Sequence, residues 1–232
     1  MLKPAGMSAL AMTSLSLFPH LQGDVAGEMD SAWTIVVAMW WVMMIAMMTP
    51  SAAPLVLLYG RVLRHHAHAD ESAYVPSLFL ATGYLVVWLV FSLCAAALQK
   101  TLQPAGLISA MMLWSKNAWL SAAVLAAAGA YQLSPFKQAC LVHCRGPVQF
   151  LTRHWRPGRS GAFVMGVGHG AYCVGCCWML MALLFVGGVM NLVWIAVLTL
   201  MVLVEKLAPA GQTIGKFSGV LLIIWAVATL LV

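Results

Sequence analysis

Long apolar segments alternate with short polar stretches along the whole chain. Six segments are poor in charged residues, at about residues 32–59, 74–98, 106–131, 161–186, 189–204 and 217–232. A transmembrane helix needs about 20 consecutive apolar residues, whereas an open strand in lipid leaves its backbone groups unpaired. The pattern therefore predicts an all-α, polytopic membrane helix bundle with about six transmembrane helices. Pro50 and Pro54 predict a kink in the first span, and Gly187 with Gly188 predicts a tight hairpin between the fourth and fifth.

The composition supports the same class. Hydrophobic residues make up 63% of the 232 residues and charged residues only 8%. A soluble domain is about 45–50% apolar and about 25% charged, and a disordered chain is poorer still in hydrophobic residues. Both classes are therefore excluded.

The distribution of basic residues predicts the orientation. The net charge is +6, and nine of the twelve Lys and Arg residues lie in segments that alternate helices would place on one side. The positive-inside rule assigns that side to the cytoplasm. The rule accounts for the positive charge, so we expect no nucleic-acid partner. We expect residues 1–31 to form an N-terminal tail or short interfacial segment. Residues 32–232 are expected to form a single transmembrane domain with a basic cytoplasmic loop at about 132–160.

The fourth apolar segment carries the strongest candidate for chemistry. His169, Cys173 and Cys176 are spaced by four and three residues, which puts them on one face of a helix, and Cys177 follows directly. Thiolate sulfur favours Cu(I), while mixed Cys and His sites also suit zinc. The interpretation without a metal is that small side chains pack between membrane helices. Four glycines in this segment also favour close helix contacts, at positions 166, 168, 170 and 175.

The first apolar segment is rich in methionine. Met44, Met47 and Met48 lie where helical spacing gives neighbouring stripes, and their thioethers are candidate helpers for a Cu(I) site. Methionine is also a common flexible filler of apolar cores. On its own, the stripe favours packing.

The segment between the third and fourth spans holds a second group of soft ligands. Cys140, His143 and Cys144 lie within about one helical turn, among basic residues typical of an amphipathic helix on an anionic membrane surface. A second metal site and a structural thiol pair both fit this pattern.

Two polar residues flank the fifth apolar segment. Glu205, beside Lys206, is either a functional acid within the membrane or half of an ion pair that reaches the interface. Asn191, at the other end, is expected to hydrogen-bond across helices or to line the site.

Several of these motifs together resemble a known bacterial family. They are the segments 169–181, 190–192, 205–206, 46–51, 140–141 and 144–147. They are similar to the family named domain of unknown function 2182, whose members are described as predicted metal-binding integral membrane proteins. The resemblance covers about residues 32–216 and implies metal binding in a bacterial cytoplasmic membrane. It implies no reaction, and copper is inferred here from the ligand types alone.

Three function classes follow. The first is a protein that binds, transfers or translocates Cu(I), for example in loading or assembling a cuproenzyme, with a membrane-protein or metallochaperone partner; zinc is the alternative metal. The second is a structural or accessory subunit of a membrane complex. The third is a membrane thiol–disulfide oxidoreductase using Cys173 and Cys176. A site near mid-bilayer argues against the third, so a non-enzymatic role is favoured. The oligomeric state stays open.

Overall fold

The computed structural model describes residues 33–66, 74–109, 115 and 117–231. The predicted N-terminal tail, residues 1–31, lies outside them. The described chain is built of helices, which confirms the all-α class. In chain order they are α1 (Trp33–His66), α2 (Tyr74–Leu102), α3 (Ala118–Leu133), α4 (Pro135–Arg145), α5 (Pro147–His154), α6 (Gly158–Ala182), the single turn α7 (Leu184–Gly187), α8 (Leu192–Leu207) and α9 (Gly211–Leu231).

Four helical segments are long and apolar enough to cross a membrane. They are Trp33–His65, Tyr74–Leu102, Gly158–Gly187 and Gly211–Leu231. Helix α1 continues through both of its prolines. The predicted third and fifth spans are helices of 16 residues each, α3 and α8, and are shorter than the roughly 20 residues that a span needs. The described structure therefore supports four of the six predicted spans by length.

Helix α3 begins twelve residues later than the apolar pattern predicted. Residues 103–106 form turns instead, and Gly106 has a φ of 70°, which favours glycine. The helix begins after Asn117, whose Oδ1 accepts hydrogen bonds from the backbone N–H groups of Trp119 and Leu120 at 2.9 and 3.4 Å. This N-cap supplies partners for backbone donors that the helix itself leaves unpaired. The apolar pattern alone does not contain that boundary.

The predicted hairpin after the fourth segment is confirmed. Gly188 turns the chain with a φ of 91°. Trp194 then packs against Gly187, and its indole N–H donates to the carbonyl of Leu183 at 2.9 Å. Helix α8 therefore runs back along α6.

Glycines bring α2 and α6 into backbone contact. A Cβ atom on Gly166 would overlap the carbonyl oxygen of Leu80, and one on Gly83 would overlap that of Phe163. A Cβ on Gly170 would meet the Val87 side chain at 3.0 Å. The close helix approach expected at the glycines of the fourth segment is thus present at Gly166 and Gly170.

The basic segment at about 132–160 contains two short helices, the first of them where the sequence indicated an amphipathic helix. Ser134 caps α4, and prolines occupy the first position of α4 and of α5. Proline suits that position because its missing N–H has no helical partner there. Helix α4 packs mainly against α6 and also meets α8. Its cysteines are therefore brought to the fourth segment.

Helices α3, α8 and α9 have one end near a common level. The Gln132 side-chain amide, in the last turn of α3, donates to Glu205 Oε1 at 2.8 Å and to Ser218 Oγ at 3.2 Å. Glu205 lies in the last turn of α8, and Ser218 lies near the start of α9. Helices α1, α2 and α6 continue beyond this level, where α4 and α5 lie against the bundle.

Candidate metal centre

Four buried cysteines come together where α4 crosses α6. Cys173, Cys176 and Cys177 follow one another along α6, and Cys144 reaches them from α4. The sulfur atoms of Cys144 and Cys176 are 3.9 Å apart. Cys144, which the sequence analysis assigned to a second group of ligands, therefore joins the cysteines of α6. All six cysteines of the chain are free thiols in this structure.

The thiols of Cys176 and Cys177 are turned toward the backbone. They donate to the carbonyl oxygen of Cys173 at 3.1 and 2.9 Å. Such hydrogen bonds are weak in thiols, and rotation about χ1 redirects the sulfurs. Within the described residues, no three His, Cys, Asp or Glu side chains are already arranged as a metal site. Binding one ion at three sulfurs would need these rotations.

Cys173 has two polar neighbours that the sequence analysis missed. Its sulfur lies 2.8 Å from Lys206 Nζ and 3.1 Å from the Tyr84 hydroxyl. Lys206 Nζ also donates to Ser51 Oγ at 3.3 Å. The residue midway along α6 therefore meets α8, α2 and, through Lys206, α1.

Glu205 and Lys206 do not form the interfacial ion pair considered from the sequence. Glu205, Lys206 and Lys137 are 2%, 6% and 0% exposed, so none of them reaches solvent. Glu205 Oε2 instead accepts from Lys137 Nζ at 2.5 Å. Because adjacent residues of a helix point about 100° apart, Glu205 and Lys206 serve different partners. From the sequence, Lys137 was only one of the basic residues of a loop, and nothing in the pattern indicated that Glu205 would be its partner.

His169 is buried one turn before Cys173. It is 3% exposed, and its Nδ1 has no hydrogen-bond partner in the described structure. The rings of Tyr84 and Phe150 lie 5.9 and 5.2 Å from its ring. A buried imidazole nitrogen without a partner is costly unless a ligand uses it. His169 is thus a nitrogen donor available beside the sulfur cluster.

The methionines of α1 belong to the same core. Met44, Met47 and Met48 are buried in the hydrophobic cluster that contains the four cysteines. The Tyr84 hydroxyl, which contacts Cys173, also donates to the carbonyl oxygen of Met48 at 3.2 Å. Tyr84 therefore links the backbone of Met48 to the sulfur of Cys173, and Met44 lies one turn from Met48 along α1.

The remaining members of the second predicted group have other contacts. A Cβ on Gly175 would lie 2.9 Å from the sulfur of Cys140, so Cys140 packs against α6. Burial raises the pKa of the Cys140 thiol, and Cys176 raises it further. His143 stacks on Tyr172 with ring centroids 4.5 Å apart. Cys140, His143 and Cys144 are therefore not gathered around one point.

Asn191 lies away from the cluster. Its Oδ1 caps α8 by accepting from the backbone N–H of Trp194 at 3.1 Å. Lys206 lies at the opposite end of that helix, about 22 Å away at 1.5 Å per residue. The structure thus gives Asn191 a capping role and does not bring it to the cysteines.

The comparisons with known proteins point to copper. No curated protein and no solved structure matches this chain. The model of one protein family, PpoB2, described as a copper chaperone, matches residues 37–229. The match covers all or most of each described helix and includes all four clustered cysteines. It gives a family whose description names copper, where the resemblance drawn from the sequence implied only a metal. The chain therefore belongs to the PpoB2 copper chaperone family.

Proposed function

We propose that this protein is a membrane copper chaperone that binds Cu(I) as cargo in its bundle and passes it to a partner protein. The copper chaperone family and the four long apolar helices support the two halves of this proposal. The described residues form one bundle around the cysteines, so the cargo site and the membrane segments belong to the same domain.

The pair formed by Cys144 and Cys176 is the observation that carries the proposal. Their sulfur atoms are 3.9 Å apart and belong to different helices. Two metal–thiolate bonds of about 2.3 Å, the length known for zinc, reach across as much as about 4.6 Å. One ion therefore reaches both sulfurs without movement of either helix.

Cys173, Cys177 and His169 are the next ligands in reach. Cys173 and Cys177 lie within one turn of Cys176 on α6, and His169 offers its unpartnered nitrogen. The ammonium group of Lys206 lies 2.8 Å from Cys173, where it compensates negative charge on the sulfur. A buried site of this kind keeps the bound ion away from water.

The ligand types favour Cu(I) over zinc. Thiolates and thioethers are soft ligands that select Cu(I), whereas zinc also accepts oxygen and nitrogen readily. Met44, Met47 and Met48 are buried in the same hydrophobic cluster as the cysteines and are further candidate thioether donors. We therefore propose Cu(I) as the cargo. Zinc is the alternative metal, and the experiment must distinguish the two.

We further propose that the protein lies in a bacterial cytoplasmic membrane with α4 and α5 on the cytoplasmic side. Arg145, Arg153, Arg156 and Arg159 all lie on or next to these two helices and α6. The positive-inside rule assigns such segments to the cytoplasm. The site is then covered from the cytoplasm by the two short helices.

Elemental analysis after copper loading tests the cargo site. The purified chain in detergent is loaded under reducing conditions, washed and compared with Cys173→Ser/Cys176→Ser. Cys94→Ser is the matched control, because Cys94 is exposed on α2. We expect near-stoichiometric copper in the wild type and the control and a loss of most of it in the double variant. Zinc in place of copper would overturn the choice of metal.

The close thiols of Cys144 and Cys176 also suit a thiol–disulfide oxidoreductase. A titration of free thiols, made on the protein as isolated without added reductant, separates this alternative. A disulfide that cycles with a soluble dithiol, in a protein that retains no metal, would favour the enzyme. Neither metal nor cycling would favour a structural or accessory subunit.

A further inference from the structure

Two histidines outside the cysteine cluster lead from the surface toward it. His154 is exposed on α5, and His143 is half-buried on α4. Phe150 lies between His154, whose ring is stacked 4.8 Å away, and the buried His169, whose ring is 5.2 Å away. Tyr172 contacts the rings of both His143 and His154, at 4.5 and 6.5 Å. Imidazoles thus occur on both sides of these two aromatic rings.

The hydrogen bonds of both outer histidines leave the Nε2 atom of the neutral ring available to a metal. His143 Nδ1 is 2.9 Å from the carbonyl oxygen of Ala139, and His154 Nδ1 is 3.2 Å from that of Phe150. A carbonyl oxygen only accepts hydrogen bonds, so each Nδ1 carries the hydrogen and donates it. Each Nε2 of the neutral ring then keeps its lone pair. Metal-binding histidines in proteins are oriented by this kind of hydrogen bond.

The charge around these histidines indicates the donor that they meet. Arg153 and Arg156 are exposed next to His154 along the chain. A free copper cation would be repelled there, whereas Cu(I) held by two thiolates carries a net negative charge. The surface therefore fits a thiolate complex of Cu(I) better than the bare ion.

We propose that His143 and His154 form a copper entry point, at which Cu(I) leaves a thiolate donor and passes Phe150 and Tyr172 to reach His169 and the buried thiols. This inference rests on the proposed function, because it concerns the route to that same site. Neither histidine is a ligand of the resident cluster. Their role is to accept the ion and release it inward.

Each transfer is a ligand exchange without a redox step. A bond from copper to the donor thiolate breaks as Nε2 supplies its lone pair, and copper remains Cu(I). In the inward step the copper–nitrogen bond breaks as a bond to a cysteine sulfur forms. The proton released by that thiol passes to the vacated imidazole nitrogen. The balance requires only the thiolate donor.

The rate of copper loading tests the entry point. Detergent-solubilised wild type is mixed with the Cu(I)–glutathione complex and compared with His143→Ala/His154→Ala. His65→Ala, an exposed histidine of α1, is the matched control. We expect the double variant to load about tenfold more slowly, the low end of the effects known for residues that surround metal ligands, and to reach the same final copper content. His154→Ala alone, at an exposed position, should slow loading by several-fold.

Three results overturn the inference in different ways. If the double variant takes up copper at the wild-type rate, the two histidines have no role in copper entry, and the proposed function is unaffected. A lower final copper content in the double variant would make the histidines part of the resident site. A wild type that takes up no copper would refute the proposed function together with this route.

Discussion

At position 166, the absence of a side chain decides how closely α2 and α6 approach. The backbone of Leu80 occupies the space that a Cβ would need, and Tyr84, which contacts Cys173, lies one turn farther along α2. A single methyl group there must push the helices apart. Two residues later, a Cβ on Gly168 would meet only the Phe150 ring at 3.9 Å, which is ordinary contact.

Gly166→Ala and Gly168→Ala should therefore have opposite effects on stability. We expect Gly166→Ala to lower the free energy of unfolding by about 1–3 kcal/mol, the usual cost of overpacking. Gly168→Ala should be neutral or stabilising by up to about 1 kcal/mol, because alanine favours a helix. Thermal unfolding in detergent measures both. Equal losses in the two variants would contradict the backbone contact.

The sequence predicted the roles of some site residues and missed those of others. The spacing of His169, Cys173 and Cys176 predicted a shared helix face, and all three are buried in the bundle. Lys206 and Tyr84 were missed as neighbours of Cys173, because such contacts join helices far apart in the chain. Glu205 was recognised as unusual, but its partner Lys137 lies 68 positions away. Helical periodicity predicts which residues share a face and not which helix faces them.

At the scale of elements, α4 is tied to the bundle by charge as well as by packing. The Lys137–Glu205 ion pair joins the first turn of α4 to the last turn of α8, inside the protein. The Gln132 amide donates to the same carboxylate at 2.8 Å. Because Cys144 lies at the other end of α4, this pair helps to hold it near Cys176.

Removing one member of the pair should cost more than removing both. Lys137→Met leaves a buried carboxylate unpaired, and we expect a loss of about 3–5 kcal/mol in the free energy of unfolding. Lys137→Met/Glu205→Gln should recover most of that loss. A double-mutant cycle by denaturant unfolding in detergent measures the coupling. Additive effects of the two substitutions would rule out the ion pair.

Element boundaries were predicted less well than element types. The all-α class and the hairpin at Gly188 followed from hydrophobic runs and glycine. The late start of α3 depends on the Asn117 cap, which an apolar run does not reveal. The basic pattern around Cys140 and Cys144 indicated an amphipathic helix, but it did not indicate that α4 would bring Cys144 to the cysteines of α6.

At the scale of the whole molecule, the cysteine cluster lies midway along α1, α2 and α6 but near one end of α3, α8 and α9. The Lys206 ammonium that contacts Cys173 is in the last turn of α8. The sequence placed the site near mid-bilayer from its position along one helix. The bundle also brings the site close to α4 and α5, and this shortens the route from the basic side.

The proposed orientation of the bundle predicts the side of the membrane from which each end can be labelled. Thr152→Cys on exposed α5 and Trp119→Cys at the start of α3 should label on opposite sides of the membrane with an impermeant maleimide. The position on α5 should react in inside-out vesicles and the position on α3 in intact spheroplasts, each above the wild-type background. Labelling of both from one side would contradict the proposed topology.

X-ray absorption at the copper edge tests the central claim most directly, because it reports the oxidation state and the atoms bound to the ion. For the copper-loaded wild type and Cys94→Ser, we predict Cu(I) with mainly sulfur neighbours. In Cys144→Ser, the sulfur signal should fall, since one ligand from α4 is lost while α6 is unchanged. A wild-type spectrum with only nitrogen or oxygen neighbours, or a Cys144→Ser spectrum identical to the control, would contradict a Cu(I) site shared by these two helices.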